Sequence, residues 1–217
     1  MNHSTIIFGF CLIFSFANLQ AQTTQATTTP ATTQPAQKSN DMPKAPYHSI
    51  GEYPEVYTAA TVMQRVIDGL GYRYHWATKD LTEKDLAYEP GNAGQTAQQT
   101  IDHLFGLSRT IVNGVMGKDN VRPYTEVEMT FAETRLATLE NFKRASEYLS
   151  EHQDLNLVDH DLVYKRGDKR SAFPFFNLIN GQVSDAIYHV GQIVSYRRTT
   201  GNPIHPKVNV FMGSAPY

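Results

Sequence analysis

The chain has 217 residues, with 19 Lys and Arg against 21 Asp and Glu and a formal net charge of −2. That near balance provides no polyelectrolyte field of the kind that binds nucleic acid, so no nucleic-acid partner is expected. The only cysteine, Cys11, lies in a stretch expected to be removed, which leaves the mature chain without disulfides, thiolate metal sites or cysteine nucleophiles.

The first 22 residues contain no Lys, Arg, Asp or Glu, and Ile6 to Phe16 (IIFGFCLIFSF) is an apolar run too short to span a bilayer as a helix. Leu19-Gln20-Ala21 ends in a small residue suited to cleavage. Residues 1–21 therefore read as a secretory signal, and the protein as exported, periplasmic or secreted, with no stable membrane insertion after cleavage. A retained amino-terminal anchor is the alternative, because no basic residue precedes the run. Residues 22–50 begin TTQATTTPATTQPAQKSN, a Thr/Gln/Pro-rich stretch too poor in apolar residues to order itself, and read as a flexible linker. Residues 51–217 form one domain.

Within it, Val56, Ala59, Ala60, Met63, Val66, Ile67, Leu70 and Tyr74 recur at helical spacing, predicting a first helix over Pro54 to Thr78. Its closing cluster, Tyr72-Arg73-Tyr74-His75-Trp76, suits either a pocket lining or an aromatic plug. Thr82-Glu83-Lys84-Asp85 has the form of an N-cap with an acidic first turn, opening a short helical piece that stops before Pro90-Gly91. Thr96 opens the second long helix, with Ala97, Ile101, Leu104, Phe105, Ser108, Ile111, Val112 and Val115 on one stripe. His103 lies roughly 150° from the centre of that stripe. The third helix is expected to start at the N-cap candidate Thr125, with Glu126 and Glu128 in its first turn, and to run to about Glu151 as an exposed outer helix. LVDHDLVY and SAFPFF then flank Lys165-Arg166-Gly167-Asp168-Lys169-Arg170, which predicts a small hairpin with a basic tip. That tip either steers an anionic substrate or is a solvated loop. The tail after Gly201 is expected to pack over the helices through Val208, Val210 and Phe211.

The last helix, Asn177 to Arg198, organises the chain. Between Ser171 and Tyr196 only Asp185 and His189 carry an acid or an imidazole. So uncharged a helix has no face suited to bulk water and is expected to be enclosed. Asp185 and His189, four apart, share one side, with Cβ atoms roughly 6 Å apart. Both are displaced from the apolar stripe as His103 is from its own, so the three are expected to meet at an edge or mouth of the helices. Two imidazoles and a carboxylate suit a divalent transition metal (Zn, Ni, Fe or Mn) and leave coordination positions open. The competing reading is a hydrogen-bonded polar trio. Gln192 and Tyr188 are candidates for support around the site, with Tyr196 near its mouth, and a closing fourth ligand such as His75 or His205 would indicate a structural metal.

The stretches YRYHWAT, DLTEKDLAYEP, TAQQTIDHLFGL and DAIYHVGQIVSYRRTTGNP resemble the DinB/YfiT-like superfamily of four-helix-bundle metalloenzymes, over roughly residues 54–211. The resemblance implies an all-α, DinB-like four-helix bundle with the hairpin as an insertion before the last helix. It also implies three metal ligands, usually histidines. His103 matches the first, and His189, ahead of Val190-Gly191-Gln192, matches the last. Asp185 stands where the middle histidine is normally found, which changes charge and hardness at the metal. The expected function is metal-dependent hydrolysis or group transfer on a small-molecule substrate outside the cytoplasm. The rivals are a non-catalytic metal- or ligand-binding bundle and a homodimer-forming module with an exposed apolar face.

Overall fold

The computed structural model describes residues 44–91, 93–125 and 127–215. The expected signal, most of the linker and Glu126 lie outside the described residues. The fold is mostly helical with one small sheet. In chain order come α1 (Ala59–Thr78), α2 (Glu83–Leu86), α3 (Ala97–Val115), β1 (Asn120–Val121), α4 (Phe131–Glu151), β2 (Leu162–Arg166), β3 (Lys169–Phe173), α5 (Phe176–Leu178), a π-helical turn (Ile179–Val183) and α6 (Ser184–Thr200).

Four of the helices are long enough to carry an apolar stripe. On α1 the buried positions include Ala60, Met63, Ile67, Leu70, Tyr74 and Ala77, and on α3 they include Ala97, Ile101, Leu104, Ser108, Ile111 and Val115. Steps of three and four keep each set on one face. α1 packs on α4 and α6, and α3 packs on the same two helices, so the stripes close on a shared core. At its centre the Tyr74 and Phe142 rings meet edge to face at 6.0 Å. No described helix is long and apolar enough to cross a membrane.

The helix starts follow their caps. Thr58, Thr82, Thr96 and Thr130 each accept a hydrogen bond from the backbone N–H three residues on, and each is answered by the side chain at that position. Two predicted starts move accordingly. α1 begins at Ala59 rather than Pro54, leaving Val56 half exposed ahead of the Thr58 cap. α4 begins at Phe131 rather than after Thr125: both Thr125 and Thr130 have a Glu three residues on, but only the second pair is followed by the apolar stripe that docks on α1 and α3. α4 is also less exposed than its charges suggest, since Leu139, Phe142, Ala145 and Leu149 are all fully buried.

The hairpin forms as expected, with Arg166 opposite Lys169 and Gly167 at φ 57° supplying the left-handed turn residue. Residues 120–121 add a parallel third strand beside β2, which periodicity could not reveal in two residues. Part of the segment read as linker packs on the helices. Pro46 O accepts from His75, and the Tyr47 ring lies where a Cβ on Gly71 would come within 2.5 Å of it. The aromatic cluster ending α1 is a plug: Tyr72, Tyr74, His75 and Trp76 are all buried.

Two expectations fail. The tail docks mainly through its backbone, with Ile50 N–H donating to Gly213 O and Tyr72 Oη donating to Ser214 O; of the three apolar residues expected to pack, Val208 is half-buried while Val210 and Phe211 stay exposed. The last helix is not enclosed either. α6 buries Ala186, Val190, Ile193 and Arg197 and turns Ser184, Tyr188, Gly191 and Ser195 outward. Small and hydroxylated residues meet water without needing charge, so an uncharged run was compatible with a half-exposed helix.

Candidate metal centre

His103 sits in the second turn of α3, and Asp185 and His189 lie in the first two turns of α6. The step that aims α6 is the π-helical turn before it. Buried positions run Leu178, Val183, Ala186, Val190, Ile193, Arg197, so the spacing is five across Ile179–Val183 and three or four afterwards. One extra residue in that turn rotates everything downstream by about 100°. This rotation keeps the later apolar positions on the core and leaves Asp185 and His189 on the side facing α3. Gly114 and Leu178 approach at the other end of the same contact, where a Cβ on Gly114 would lie 3.1 Å from the Leu178 methyls.

The three predicted residues come together. His103 Nε2 is 3.1 Å from Asp185 Oδ2, and His189 Nε2 is 3.2 Å from Asp185 Oδ1. One ligand atom from each side chain fits within a 4.8 Å span. The imidazole rings meet nearly perpendicular with centroids 4.7 Å apart. His189 is the most enclosed of the three, at 16% side-chain exposure, against 42% for His103 and 41% for Asp185.

Ligands about 2.1 Å from a metal in tetrahedral or cis-octahedral geometry lie roughly 3.0–3.5 Å from one another. Both carboxylate–imidazole distances fall in that range, each on a different oxygen of Asp185, while one ligand atom from each residue spans up to 4.8 Å, so a single ion would draw the three side chains closer together. Hydrogen bonding around His189 points the same way. Its Nδ1 is 2.6 Å from Gln192 Oε1, a contact made as a hydrogen bond by the tautomer that carries its proton on Nδ1. In that tautomer Nε2 turns its lone pair toward the Asp185 carboxylate, and a cation held between them would be bound by both. The donor set therefore fits a divalent metal, with Gln192 fixing the tautomer that exposes Nε2.

The site opens onto a cleft of about 390 Å³ lined by Pro90, Ala93, Gly94, Gln95, His103, His189, Gln192 and Tyr196. The far wall is the loop after α2, and Tyr196 is steadied by the Tyr88 ring at 5.3 Å. Gln192 and Tyr196, the candidates from the sequence, line this cleft with His103 and His189, as do Gly94 and Gln95, which the sequence reading missed because their turn chemistry carries no sign of what the loop faces. Tyr188 is 66% exposed and does not line the cleft, although its ring is 5.6 Å from that of His189. Neither proposed fourth ligand joins the cluster. His75 is buried at the end of α1, where desolvation pushes its pKa down to about 4, and His205 accepts from Lys207 N–H in the tail.

Several stretches that set the sequence apart serve structure rather than chemistry. Arg197, only 4% exposed, donates to the carbonyls of Trp76, Ala77 and Lys79 at the end of α1 and to both the carbonyl and side-chain oxygens of Asn202. Beside it, buried Asp85 accepts from Thr82, Thr200 and Asn202. Burial alone would push the Asp85 carboxyl up, but these donors together hold it well below the usual carboxylate range. The network ties α2 and the end of α6 to the end of α1, and so fixes one wall of the cleft. The phase of α6 was the missed signal, since Arg197 follows Ile193 by four.

Together fold and site define a class: a mostly helical domain with two histidines and an aspartate clustered on the wall of an open cleft. Comparison with family models, curated proteins and solved structures finds no match for this chain.

Proposed function

We propose that the protein is an exported metal-dependent enzyme built as a DinB-like four-helix bundle, holding one divalent transition metal at His103, Asp185 and His189. The observation that carries this reading is the convergence of the three ligand atoms within 4.8 Å at the wall of a 390 Å³ cleft. A metal bound there would supply Lewis acidity and bring the pKa of a bound water toward 7, favouring hydrolysis of a small molecule, with group transfer as the related alternative. The chain's own part is positional. Gln192 holds His189 in the tautomer that presents Nε2, Asp185 offers one oxygen to each side of the site, and the Tyr196 side chain borders the space a substrate would occupy. Zn, Ni, Fe and Mn all accept two imidazoles and a carboxylate.

A second reading, a metal-free polar trio in a ligand-binding bundle, has its own support: both imidazoles already lie within hydrogen-bond distance of Asp185. Elemental analysis separates the two. The chain from Gln22 onward, exported and purified without a histidine tag or chelator, should carry near one transition metal per molecule, and His103→Ala should lose it with helical circular dichroism unchanged. Absence of metal after incubation with each of the four ions would establish the polar trio instead.

A further inference from the structure

The hairpin and the strand beside it hold a feature that the metal site does not use. Arg166 and Lys169 stand directly opposite each other across the turn, on the face that also carries Tyr164 and Ser171, also directly opposed. Like charges in that relation destabilise a hairpin. Among the described residues neither forms an ion pair with a carboxylate, and Asp168 at the turn pairs with neither; of the hairpin's cations only Lys165 is matched, by Asp119. Arg122, from the segment after β1, reaches the same face. Its guanidinium stacks 3.9 Å from the Tyr124 ring centroid, donates to Thr110 Oγ1 at 3.1 Å and lies 5.9 Å from the Tyr164 ring. Arg109 stacks on Tyr124 as well, at 3.6 Å, so a second cation reinforces the positive field instead of neutralising it. A cavity of about 450 Å³ opens between Arg122, Tyr164, Lys165, Arg166, Lys169 and Ser171.

The hydroxyls complete a receptor. Tyr164 Oη accepts from Gln182 Nε2 at 2.8 Å, which leaves its own proton to donate, and burial pushes the phenol pKa up so that the proton stays in place. The side chains available to a ligand are thus cations and hydroxyl donors. We propose that this cavity is a binding site for a tetrahedral oxyanion, a phosphate group, held by Arg122, Arg166 and Lys169 with Tyr164 and Ser171 as hydroxyl donors. An anion there would relieve the opposition of Arg166 and Lys169, with the half-buried Tyr164 hydroxyl and the exposed Ser171 hydroxyl beside them. The site stands independently of the metal reading.

The test is calorimetric titration of the mature protein with inorganic phosphate and with glycerol phosphate at fixed ionic strength. Saturable one-to-one binding is expected. Tyr164→Phe should weaken it about tenfold, as expected for loss of one hydrogen bond to a charged acceptor. The pair Arg166→Gln and Lys169→Gln should abolish it, while Lys143→Gln with Arg144→Gln, the same charge change on exposed positions of α4, should leave it unchanged. Tighter binding of glycerol phosphate assigns the site to a phosphorylated small molecule, and equal binding to the free ion. Non-saturable heat, or equal losses from the hairpin and α4 pairs, would overturn the proposal by showing only general electrostatic attraction. If the hairpin pair failed to fold by circular dichroism, Tyr164→Phe would decide: full affinity in that variant also overturns it. His103→Ala should bind phosphate as the parent does, which separates this site from the metal centre.

Discussion

Replacing Arg197 with methionine keeps the length of the side chain and removes every hydrogen bond it makes. Three carbonyls at the end of α1 lose their donor, Trp76 O at 2.8 Å and Ala77 O and Lys79 O at 3.1 Å each, and Asn202 loses contacts at 2.6 and 3.1 Å. Helix carbonyls without partners in a nearly water-free position cost about 1–3 kcal/mol each, partly recovered where water can enter. Removing one member of such a buried charged network costs about 3–5 kcal/mol in all. Against a total stability of about 5–15 kcal/mol this is a large share, and for a domain of this size it corresponds to a drop in Tm of about 6–20 °C. The assay is urea unfolding followed by circular dichroism with excess chelator in every sample, so that metal binding does not contribute. Arg197→Lys, which retains charge but not the planar fork, should recover less than half of the loss. A cost below about 1 kcal/mol for Arg197→Met would refute the clamp and show that the α1 terminus is satisfied by solvent.

Asp85→Asn should lose about 2 kcal/mol, because the new amide sets a donor against the donors from Thr82 or Asn202. Because the folded Asp85 pKa is depressed, its contribution is complete above the ordinary carboxylate value and disappears as pH falls through and below that range; an acid-unfolding midpoint unchanged in Asp85→Asn would contradict this. His75 acts higher on the pH scale. Its folded pKa of about 4 lies below its unfolded value of about 6.5, so the unfolded chain takes up the proton first and stability should fall by about 2 kcal/mol from pH 6.5 to pH 4, a slope that His75→Gln should flatten in urea titrations across that range. Gln192→Leu should weaken metal binding about 10–100-fold in competition with a chromophoric chelator, through loss of the His189 tautomer, without lowering Tm in chelator; unchanged affinity would remove Gln192 from the site.

Much of the fold is legible along the chain because local chemistry reports it. Thr96 followed by Gln99, and Thr82 followed by Asp85, are capping pairs written within four residues, and the structure uses both. The Gly167-Asp168 turn in a basic tip between two apolar stretches is likewise enough to place a hairpin. Where two local signals compete, as at Thr125 and Thr130, proximity in sequence offers no choice, and docking against α1 and α3 selects the start. The same limit explains α6. An absence of charge was read as enclosure, yet Ser184, Gly191 and Ser195 meet solvent, and the five-residue step from Leu178 to Val183 only becomes meaningful once a π-helical turn is seen to absorb it.

The site divides along the same line. Sequence by itself determined which residue types were available and how they were phased: an Asp and a His one helical turn apart, and a His displaced from its own stripe on another helix. Periodicity fixes the angle of a side chain about its helix but not the distance to a residue 82 positions away, which is the separation of His103 from Asp185. Only the packing of α3 against α6, set in phase by the π-helical turn, turned three similarly offset side chains into one cluster within 4.8 Å. Tertiary structure alone likewise decided that His75 belongs to the plug and that Arg197 closes the end of α1, since both depend on backbone atoms brought in from distant segments.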